Sequence, residues 1–425
     1  MEILEKFQLA TRYVNEPNIW EEYAFLVNKY NPINLGQGFP DFLPEQHIVD
    51  YLVQSANSED VSLHQSTRYF GHPRLVKALA QLYSPLMKQN IDPYQDIVIT
   101  AGGFASLYSV ITGFVQPGDE VIIIEPFFTC YETMIKTAGG VVRYIPLRLK
   151  GVNDVIRSSD WVLYHDELEN LFNSKTKAII INNPHNPLGK VFSLEELEEI
   201  ANLCKRWDAL CISDEVYEWL VYKPKKHIRI ASLPGMWERT VTVGSAGKVF
   251  LVTGWRVAWA MGPSTLIHKL QVELIFTPGT VQQEAVAKLF ENEIERFHES
   301  DCYLKGVTNF LETKKNYMIR ILTDTGMKPV VPDSGVFVVA DWTPLESKID
   351  LSSEKDVYKD FQFTKWFAKN AGLLAMPISM FYGYDNKKIG ESFARYCFLK
   401  EDKKLQEAEE VLNKWKSMKQ RIVAV

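Results

Sequence analysis

The sequence predicts an α/β fold with a mostly parallel sheet, accompanied by a second and smaller α+β domain. The chain has 425 residues, 46% of them hydrophobic, which is enough apolar material for two cores. Between about residues 97 and 260, short β-branched runs alternate with amphipathic stretches of helical length, a pattern typical of βαβ units. After residue 300 longer helical patterns replace this alternation, which indicates a separate domain.

Seven short apolar runs are predicted to form the sheet, because strands covered by helices on both faces are apolar throughout. These runs are Ile97–Thr100, Glu120–Ile124, Val141–Pro146, Ala178–Ile181, Leu210–Ile212, Thr240–Val243 and Val257–Ala260. Helices are predicted between them at Phe104–Phe114 and Leu194–Trp207. The second follows Ser193, whose Ser-Leu-Glu-Glu sequence matches a capping box.

The C-terminal pattern predicts three helices and two strands. Their expected ranges are Tyr303–Thr325, Val336–Ala340, Thr364–Ala371, Phe393–Phe398 and Asp402–Lys416. We expect residues 1–45 to form an N-terminal arm and part of the small domain, residues 46–300 the large domain, and residues 301–425 the small C-terminal domain.

Composition excludes several classes of function. The net charge of −6 comes from interspersed acidic and basic residues, so neither a nucleic acid nor a membrane surface is an expected partner. The five cysteines are odd in number and lack metal-ligand spacing, which predicts free thiols and no metal site. The N-terminus shows no signal or transit pattern and no apolar run could span a bilayer, so we expect a cytoplasmic protein.

Polar residues that could take part in catalysis or ligand binding follow three of the predicted strands. Asp214 follows the strand that begins at Leu210, and Asn186 lies in an Asn-Pro loop after the strand that begins at Ala178. Ser245 and Lys248 follow the next strand in a Gly-Ser-Ala-Gly-Lys sequence. Because carboxyl ends of parallel strands meet at one edge of a sheet, we expect these side chains to share a crevice.

Further candidates complete an anion-binding and aromatic environment. Arg256, in a Gly-Trp-Arg sequence, offers a guanidinium suited to phosphate. Gly103 opens a helix whose first amides favour an anion. Phe128 supplies a ring that can stack on a flat ligand. Arg395 lies among apolar residues, where an arginine is unusual unless it meets a carboxylate.

These residue types meet the four requirements of pyridoxal 5′-phosphate chemistry at the α-carbon of an amino acid. A lysine must bind the cofactor covalently, and Lys248 is the candidate. A carboxylate must keep the ring nitrogen protonated, which suits Asp214. A cup must hold the phosphate, where Arg256 fits, and a cation must hold the substrate carboxylate, where Arg395 fits.

In order along the chain, these stretches resemble a fold-type I aminotransferase of the subfamily that contains kynurenine aminotransferase I, also called glutamine transaminase K or cysteine-S-conjugate β-lyase. The similar stretches are Asn34 to Asp41, Glu125 to Phe128, Asn182 to Lys190, Ser213 to Tyr217, Ser245 to Lys248, Gly254 to Arg256 and Arg395 to Cys397. The resemblance covers nearly the whole chain. It implies an aspartate aminotransferase-like fold and a homodimer with active sites at the subunit interface.

The resemblance also implies a role for each cofactor-binding residue. Lys248 would hold the cofactor as a Schiff base and move protons, Asp214 would pair with the ring nitrogen, and Tyr217 would contact the ring hydroxyl with Asn186. The remaining residues expected to bind the cofactor are Gly103, Phe104, Phe128, Asn182, Ser245 and Arg256.

For the substrate, the resemblance implies that Arg395 holds the α-carboxylate, helped by Asn186 and the backbone near Gly38. Trp20 would shape the side-chain pocket. The implied reaction is ping-pong transfer of the amino group of kynurenine, glutamine, aromatic or sulfur-containing amino acids to a 2-oxo acid.

Three features depart from the family pattern. Ser66 stands where the family has a tyrosine that reaches the neighbouring subunit's phosphate, although Tyr69 is close enough in sequence to substitute. Phe104 replaces a tyrosine and so lacks its hydroxyl. Residues 271–279 read QVELIFTPG, a segment shorter than its family counterpart and without the His-Gln-Asn residues expected near the substrate.

Other interpretations remain open. The chain could act mainly as a β-lyase on cysteine conjugates, or could be a catalytically silent binding protein of the same fold. Taken alone, Asp214 is compatible with a helix N-cap, Arg256 with a surface arginine, and Arg395 with a buried ion pair. Phe127 is expected in the core, and the charge of Lys190 is expected to face solvent.

Overall fold

A seven-stranded sheet forms the centre of the molecule. The computed structural model describes residues 19–151, 154–271 and 277–423. All seven predicted strands are present, and their spatial order is Ile97–Thr100, Ala258–Met261, Thr240–Ser245, Leu210–Asp214, Thr176–Asn182, Glu120–Glu125 and Val141–Pro146. Within this sheet Ala258–Met261 runs antiparallel to both of its neighbours. The mostly parallel sheet predicted from the sequence is therefore confirmed.

The central strands are apolar on both faces because each face packs into a different core. In strand Thr176–Asn182, Ile179 and Ile181 belong to one hydrophobic cluster, whereas Ala178 and Ile180 belong to another. Successive residues of a strand point to opposite faces. Two-sided burial therefore accounts for the unbroken apolar run in the sequence.

Strand register brings the polar strand ends together. Asn182 pairs with Asp214 across one pair of parallel strands, and Asp214 pairs with Val243 across the next. Strand Thr240–Ser245 then leads directly into the short helix Ala246–Val249, which carries Lys248. The residues that follow these three strands consequently lie at one edge of the sheet.

Helices pack against the central sheet and also make up much of the C-terminal part of the chain. Their ranges are Ile19–Tyr30, Gln46–Ala56, Pro73–Met87, Gly103–Phe114, Cys130–Thr137, His165–Leu171, Leu194–Trp207, Ala246–Val249, Ser264–Gln271, Thr280–Glu295, Tyr303–Thr325, Lys359–Asn370, Lys387–Gly390 and Asp402–Val423. The capping box at Ser193 is present: its hydroxyl accepts from the Glu196 amide at 3.2 Å, and its own amide donates to the Glu196 carboxylate at 2.9 Å.

A second sheet of four strands lies in the C-terminal part of the chain. Its order is Lys328–Val330, Phe337–Asp341, Phe393–Cys397 and Met376–Pro377, and all pairs are antiparallel. Two-residue strands also occur at Ile33–Asn34, Arg148–Leu149, Trp161–Val162 and Leu373–Leu374.

The N-terminal segment contacts this C-terminal part. Strand Ile33–Asn34 pairs in parallel with Leu373–Leu374, and the Tyr23 hydroxyl lies 2.5 Å from that of Thr364. We therefore propose that the arm before residue 46 joins residues 301–425 in the small domain, and that residues 46–300 form the large domain.

All five cysteines are free and buried. Cys204, Cys211, Cys302 and Cys397 have no exposed surface, and Cys130 is 8% exposed. Within the described ranges, no helix combines the length and the apolar character that crossing a bilayer requires.

Glu125 connects the central sheet to the C-terminal part of the chain. Its buried carboxylate accepts hydrogen bonds from the Gly383 amide at 2.5 Å and the Asn386 side chain at 2.6 Å. Burial raises the pKa of Glu125 to about 7, although both hydrogen bonds oppose that shift.

Replacing Glu125 with glutamine should flatten the pH dependence of stability. A carboxyl group whose pKa is raised in the folded state stabilises the fold below its unfolded pKa, and that stabilisation is lost as pH rises through the folded pKa. Between about pH 4.5 and pH 7, the free energy of unfolding of the wild type should therefore fall relative to that of Glu125→Gln by on the order of 2–3 kcal/mol. Urea denaturation across this pH range measures the difference, with the exposed Glu238→Gln as control. Parallel curves for wild type and Glu125→Gln would contradict the assignment.

Candidate active site

A cavity of about 230 Å³ opens at the sheet edge where the polar strand ends meet. The ten residues predicted to bind a cofactor all line it. They are Gly103, Phe104, Phe128, Asn182, Asn186, Asp214, Tyr217, Ser245, Lys248 and Arg256. Residues scattered over about 150 positions of the chain thus face one space.

Asp214 is the buried acid of the cavity. The Tyr131 hydroxyl donates to its Oδ2 at 2.5 Å, and the Val216 amide donates to its Oδ1 at 3.3 Å. Burial raises the pKa of Asp214 to about 6, while the bond from Tyr131 and the charge of Lys248 oppose the rise. The carboxylate can therefore stabilise a positive charge placed beside it in the cavity.

Lys248 reaches the same space from the short helix Ala246–Val249. Its Nζ lies 5.5 Å from the centre of the Tyr217 ring, and Tyr217 is itself buried. Ser245 ends the preceding strand and is 8% exposed. An amine, a phenol and a hydroxyl are thereby held around one wall of the cavity.

The Asn-Pro loop is tied to the neighbouring strand. Asn182 accepts the Asn186 amide at 2.7 Å through its side-chain oxygen and donates to the Asp214 carbonyl at 3.0 Å. These bonds fix the loop next to the acid and leave the Asn186 side chain directed to its own partner, Arg395.

Another part of the cavity lining is suited to an anion. The amides of Gly103 and Phe104 lie in the first turn of helix Gly103–Phe114, where helix geometry leaves them without an intrahelical acceptor. Arg256 lies beside this turn. Gly102 has a φ of +96°, and a Cβ there would fall 2.3 Å from Nη2 of Arg256, so only glycine allows this approach.

Two phenylalanines after strand Glu120–Glu125 have different surroundings. Phe128 lines the cavity and meets the Tyr131 ring edge-on, with centroids 6.1 Å apart. Phe127 is buried and stacks on Tyr144 at 5.9 Å. Phe127 therefore lies in the core, as the sequence indicated.

Arg395 lies one hydrogen bond away from the cavity wall. Nη1 donates to Asn186 and Nη2 to the Gly36 carbonyl, both at 3.0 Å. The guanidinium is sandwiched between Phe337 and Phe381, whose ring centres are 3.9 and 4.9 Å away. Among the described residues no carboxylate forms an ion pair with Arg395, and its buried Nε has no partner. The buried ion pair considered from the sequence does not form.

Burial without a counter-ion sets the electrostatics of Arg395. It lowers the pKa of the guanidinium to about 10, so the group remains charged near neutral pH. A buried charge that lacks a partner is costly, and an incoming carboxylate would relieve that cost. The site is therefore prepared for an anionic ligand.

The predicted substrate residues outside the cavity wall have separate positions. The carbonyl that accepts from Arg395 belongs to Gly36 rather than Gly38. A Cβ at Gly38 would lie only 2.3 Å from the Phe337 ring, so the absence of a side chain at Gly38 leaves room for that ring. Trp20 lies in helix Ile19–Tyr30, is 36% exposed and is absent from the lining of this cavity. Its place in a side-chain pocket stays a prediction.

Of the three family departures, Phe104 lines the cavity, whereas Ser66 does not. Ser66 and Tyr69 are exposed, and neither lines the cavity of its own chain. In the segment 271–279, residues 272–276 fall outside the described part of the chain. The structure therefore leaves the effect of that segment open.

The prediction that Lys190 faces solvent is wrong. Its side chain is 2% exposed, forms an ion pair with Glu196 at 2.8 Å and lies 5.1 Å from the centre of the Phe192 ring. His185 nearby is buried, and burial lowers its pKa to about 3, which keeps the imidazole neutral. Lys190 ties the loop to helix Leu194–Trp207 through Glu196, and neither Lys190 nor His185 lines the cavity.

A larger groove of about 590 Å³ lies beside helices Gln46–Ala56 and Tyr303–Thr325. Its charged groups already have partners: Arg296 pairs with Glu299 and Asp301. No lysine of the described ranges lines this groove. It therefore lacks the nucleophile and the unpaired cation found at the sheet edge.

Glu215, Glu218 and His227 form a buried group with the spacing of metal ligands. Glu215 is paired with His227 at 2.7 Å, and Glu218 is bonded to both Tyr83 and Arg229. Because Arg229 supplies the positive charge and both Glu218 oxygens have partners, we read this group as a structural network behind Asp214.

Contacts of the site that were missed from the sequence are those of Tyr131 with Asp214 and of Phe337 and Phe381 with Arg395. Tyr131 was not singled out, because the sequence around it gives no indication of a hydrogen bond to Asp214, which lies 83 residues away. Phe337 could have been found: Arg395 pairs with Val339 across antiparallel strands, and Phe337, two residues away, lies on the same face.

Comparison with known proteins agrees with this geometry. The family model for aminotransferase class I and II matches residues 30–412. The chain is 47% identical over 419 residues to kynurenine–oxoglutarate transaminase 3 of Homo sapiens, covering 97% of this chain and 92% of the human protein. It is 43% identical over 405 residues to kynurenine–oxoglutarate transaminase 1 of Homo sapiens, covering 94% and 96%.

A solved structure shares the fold. Bna3p of Saccharomyces cerevisiae superposes with a TM-score of 0.89 at 29% identity, covering 97% of this chain and 99% of that chain. An aspartate aminotransferase of Thermus thermophilus, 23% identical, superposes with a TM-score of 0.80. The aspartate aminotransferase-like fold expected from the sequence is thus confirmed. The chain belongs to the class I and II aminotransferase family and is a pyridoxal 5′-phosphate-dependent aminotransferase.

Proposed function

We propose that this aminotransferase transfers the amino group of kynurenine, glutamine, aromatic or sulfur-containing amino acids to a 2-oxo acid such as 2-oxoglutarate. The observation that carries the proposal is a lysine and a buried acid that line one cavity, with a buried guanidinium at its border that has no carboxylate partner among the described residues. The names of relatives 43–47% identical, kynurenine–oxoglutarate transaminases, support the substrate class.

The residues present fit the cofactor. The close approach of Arg256 to Gly102, which a Cβ would block, forms a cradle with the first amides of helix Gly103–Phe114 and suits a phosphate. Asp214, which also lines the cavity, suits a positive ring nitrogen, and Phe128 in the same lining offers an aromatic face. Lys248 is the amine placed to hold the cofactor covalently.

When bound, pyridoxal 5′-phosphate supplies a carbonyl that takes up the amino group and a ring that withdraws electrons from the substrate α-carbon. Lys248 Nζ is the group positioned to move the proton at that carbon. Asp214 lines the same cavity, and its negative charge would stabilise the positive ring nitrogen of the cofactor. Tyr217, whose ring centre lies 5.5 Å from Lys248 Nζ, would contact the ring hydroxyl of the cofactor together with Asn186.

Arg395 sets the direction in which a substrate enters. Its guanidinium would bind the α-carboxylate, while Asn186 and the Gly36 carbonyl hold the guanidinium in place. Because both an amino acid and a 2-oxo acid carry this carboxylate, one arginine serves both half-reactions. Ping-pong kinetics follow from this shared use of one site.

We also propose a homodimer in which each active site is completed at the subunit interface. Phe104 and Tyr108 lie one turn apart on helix Gly103–Phe114 and are 54% and 44% exposed, next to the anion-binding turn. Tyr69 is 69% exposed on the loop whose Phe70 carbonyl accepts the Ile99 amide. A second copy packed on this aromatic surface would cover it and close the cavity. For location, the five free cysteines favour the cytoplasm.

A product assay with and without an added 2-oxo acid tests the reaction. Kynurenine or glutamine should yield its 2-oxo product continuously only when 2-oxoglutarate or another acceptor is present, because transamination needs both half-reactions. Liquid chromatography of the products, over a panel of amino acids, measures this. Sustained release of pyruvate from cysteine conjugates without an acceptor, and no transfer from the panel, would instead identify a β-lyase.

Replacing Lys248 with alanine should abolish turnover, because both the covalent attachment and the proton carrier are removed. Loss of the visible absorbance band that the cofactor shows when attached to lysine should accompany it. Lys226→Ala, an exposed loop lysine, is the matched control and should behave as the wild type. Retained transamination by Lys248→Ala would overturn the assignment.

Replacing Arg395 with alanine should weaken amino-acid binding by roughly 2–5 kcal/mol, as expected when one side of a buried charge pair is removed. Arg395→Lys should recover only part of the loss, because an ammonium cannot form the bidentate contact. The dissociation constant of the amino acid, obtained from the spectral change of the bound cofactor, measures the effect. An unchanged constant would place the carboxylate site elsewhere.

A further inference from the structure

The buried hydroxyl of Tyr131 is hydrogen-bonded to the carboxylate of Asp214. It donates to Asp214 Oδ2 at 2.5 Å, and both residues are buried, with 1% and 4% of their surfaces exposed. The other oxygen, Oδ1, accepts only the longer bond from the Val216 amide at 3.3 Å. Among the described residues, Tyr131 is thus the one side chain recorded as bonding to this carboxylate.

The direction of this bond is fixed by electrostatics. Burial and the nearby Asp214 charge raise the pKa of Tyr131 well above its usual range, so the phenol keeps its proton. A phenol that keeps its proton can donate, and an ionised carboxylate can only accept. The bond therefore favours the charged form of Asp214 against the burial that disfavours it.

Within the described part of the chain, the bond to Asp214 is the one hydrogen bond of the Tyr131 hydroxyl. Tyr131 lies at the start of helix Cys130–Thr137, and its ring packs edge-on against Phe128 and within the apolar cluster under the sheet. Phenylalanine would keep those ring contacts. The hydroxyl is therefore the part of the residue whose role can be isolated.

We propose that Tyr131 is a positioning residue that fixes one oxygen of Asp214 and holds the carboxylate in its charged form, leaving its remaining lone pairs free for the positive ring nitrogen of the cofactor. This inference rests on the proposed role of Asp214 as the partner of that nitrogen. Tyr131 itself does not line the cavity and acts through Asp214.

The test compares Tyr131→Phe with Tyr382→Phe. Tyr382 is also buried, and its hydroxyl lacks a hydrogen-bond partner within the described structure. Tyr382→Phe therefore removes a buried hydroxyl without breaking a hydrogen bond. In the cofactor-free protein, the Asp214 carboxyl is titrated by ¹³C NMR and assigned by its absence in Asp214→Asn. Tyr131→Phe should titrate at a higher pH than the wild type, whereas Tyr382→Phe should match it.

Cofactor binding supplies a second measurement. A hydrogen bond to a charged group implies that Tyr131→Phe should bind the cofactor about 10- to 100-fold more weakly at neutral pH, with the loss growing as pH falls. In the Asp214→Asn background the same substitution should have little further effect, because the two changes remove one interaction. A merely structural tyrosine would instead weaken binding equally in both backgrounds.

Two outcomes would overturn the proposal. One is an Asp214 titration that Tyr131→Phe leaves unmoved; the other is an additive effect on cofactor affinity in the double variant. A wild-type protein that failed to bind the cofactor would refute the proposed function instead. The NMR titration would still decide whether Tyr131 controls the charge of Asp214, so the two failures remain distinguishable.

Discussion

The register of three adjacent parallel strands is the constraint on which the site depends. Backbone hydrogen bonds align Asn182, Asp214 and Val243 in one row, so the chain that follows each strand emerges at the same edge of the sheet. A shift of one residue in any of these strands would turn its polar end residue to the other face. The apolar cores on both faces of the sheet oppose such a shift, and the geometry of the site is thereby maintained by packing far from it.

Two buried charges of opposite sign define what the site can accept. Asp214 lines the cavity, and Arg395 lies at the border of the cavity between two aromatic rings. Neither has an ion-pair partner among the described residues, and burial works against the charged form of each. Such an arrangement costs folding free energy in the empty protein, and ligands that bring complementary charges recover that cost. Function and stability thus make opposing demands at the same two positions.

Much of the fold was predictable because two-sided burial and local capping leave marks in the sequence. All seven central strands and the bounds of helices Leu194–Trp207 and Tyr303–Thr325 match the prediction. The cavity-lining residues were predictable because chemistry demands rare residue types at strand ends. Contacts between distant segments were not: the bond from Tyr131 to Asp214 and the burial of Lys190 depend on tertiary packing, which a local pattern does not encode. Helices such as Thr280–Glu295 were overlooked, since their polar residues are themselves buried and blur the amphipathic pattern.

Because every native thiol is buried, the surface of the folded molecule offers no native thiol to cysteine-directed reagents. Because the five cysteines lie in the packed interior, alkylating reagents reach them only when the chain opens. A cysteine introduced at an exposed position would therefore be the one thiol of the folded enzyme that alkylating reagents reach. Pairs of such handles, one beside each sheet, could carry spin labels or fluorophores that follow relative motion during turnover without removal of any natural cysteine.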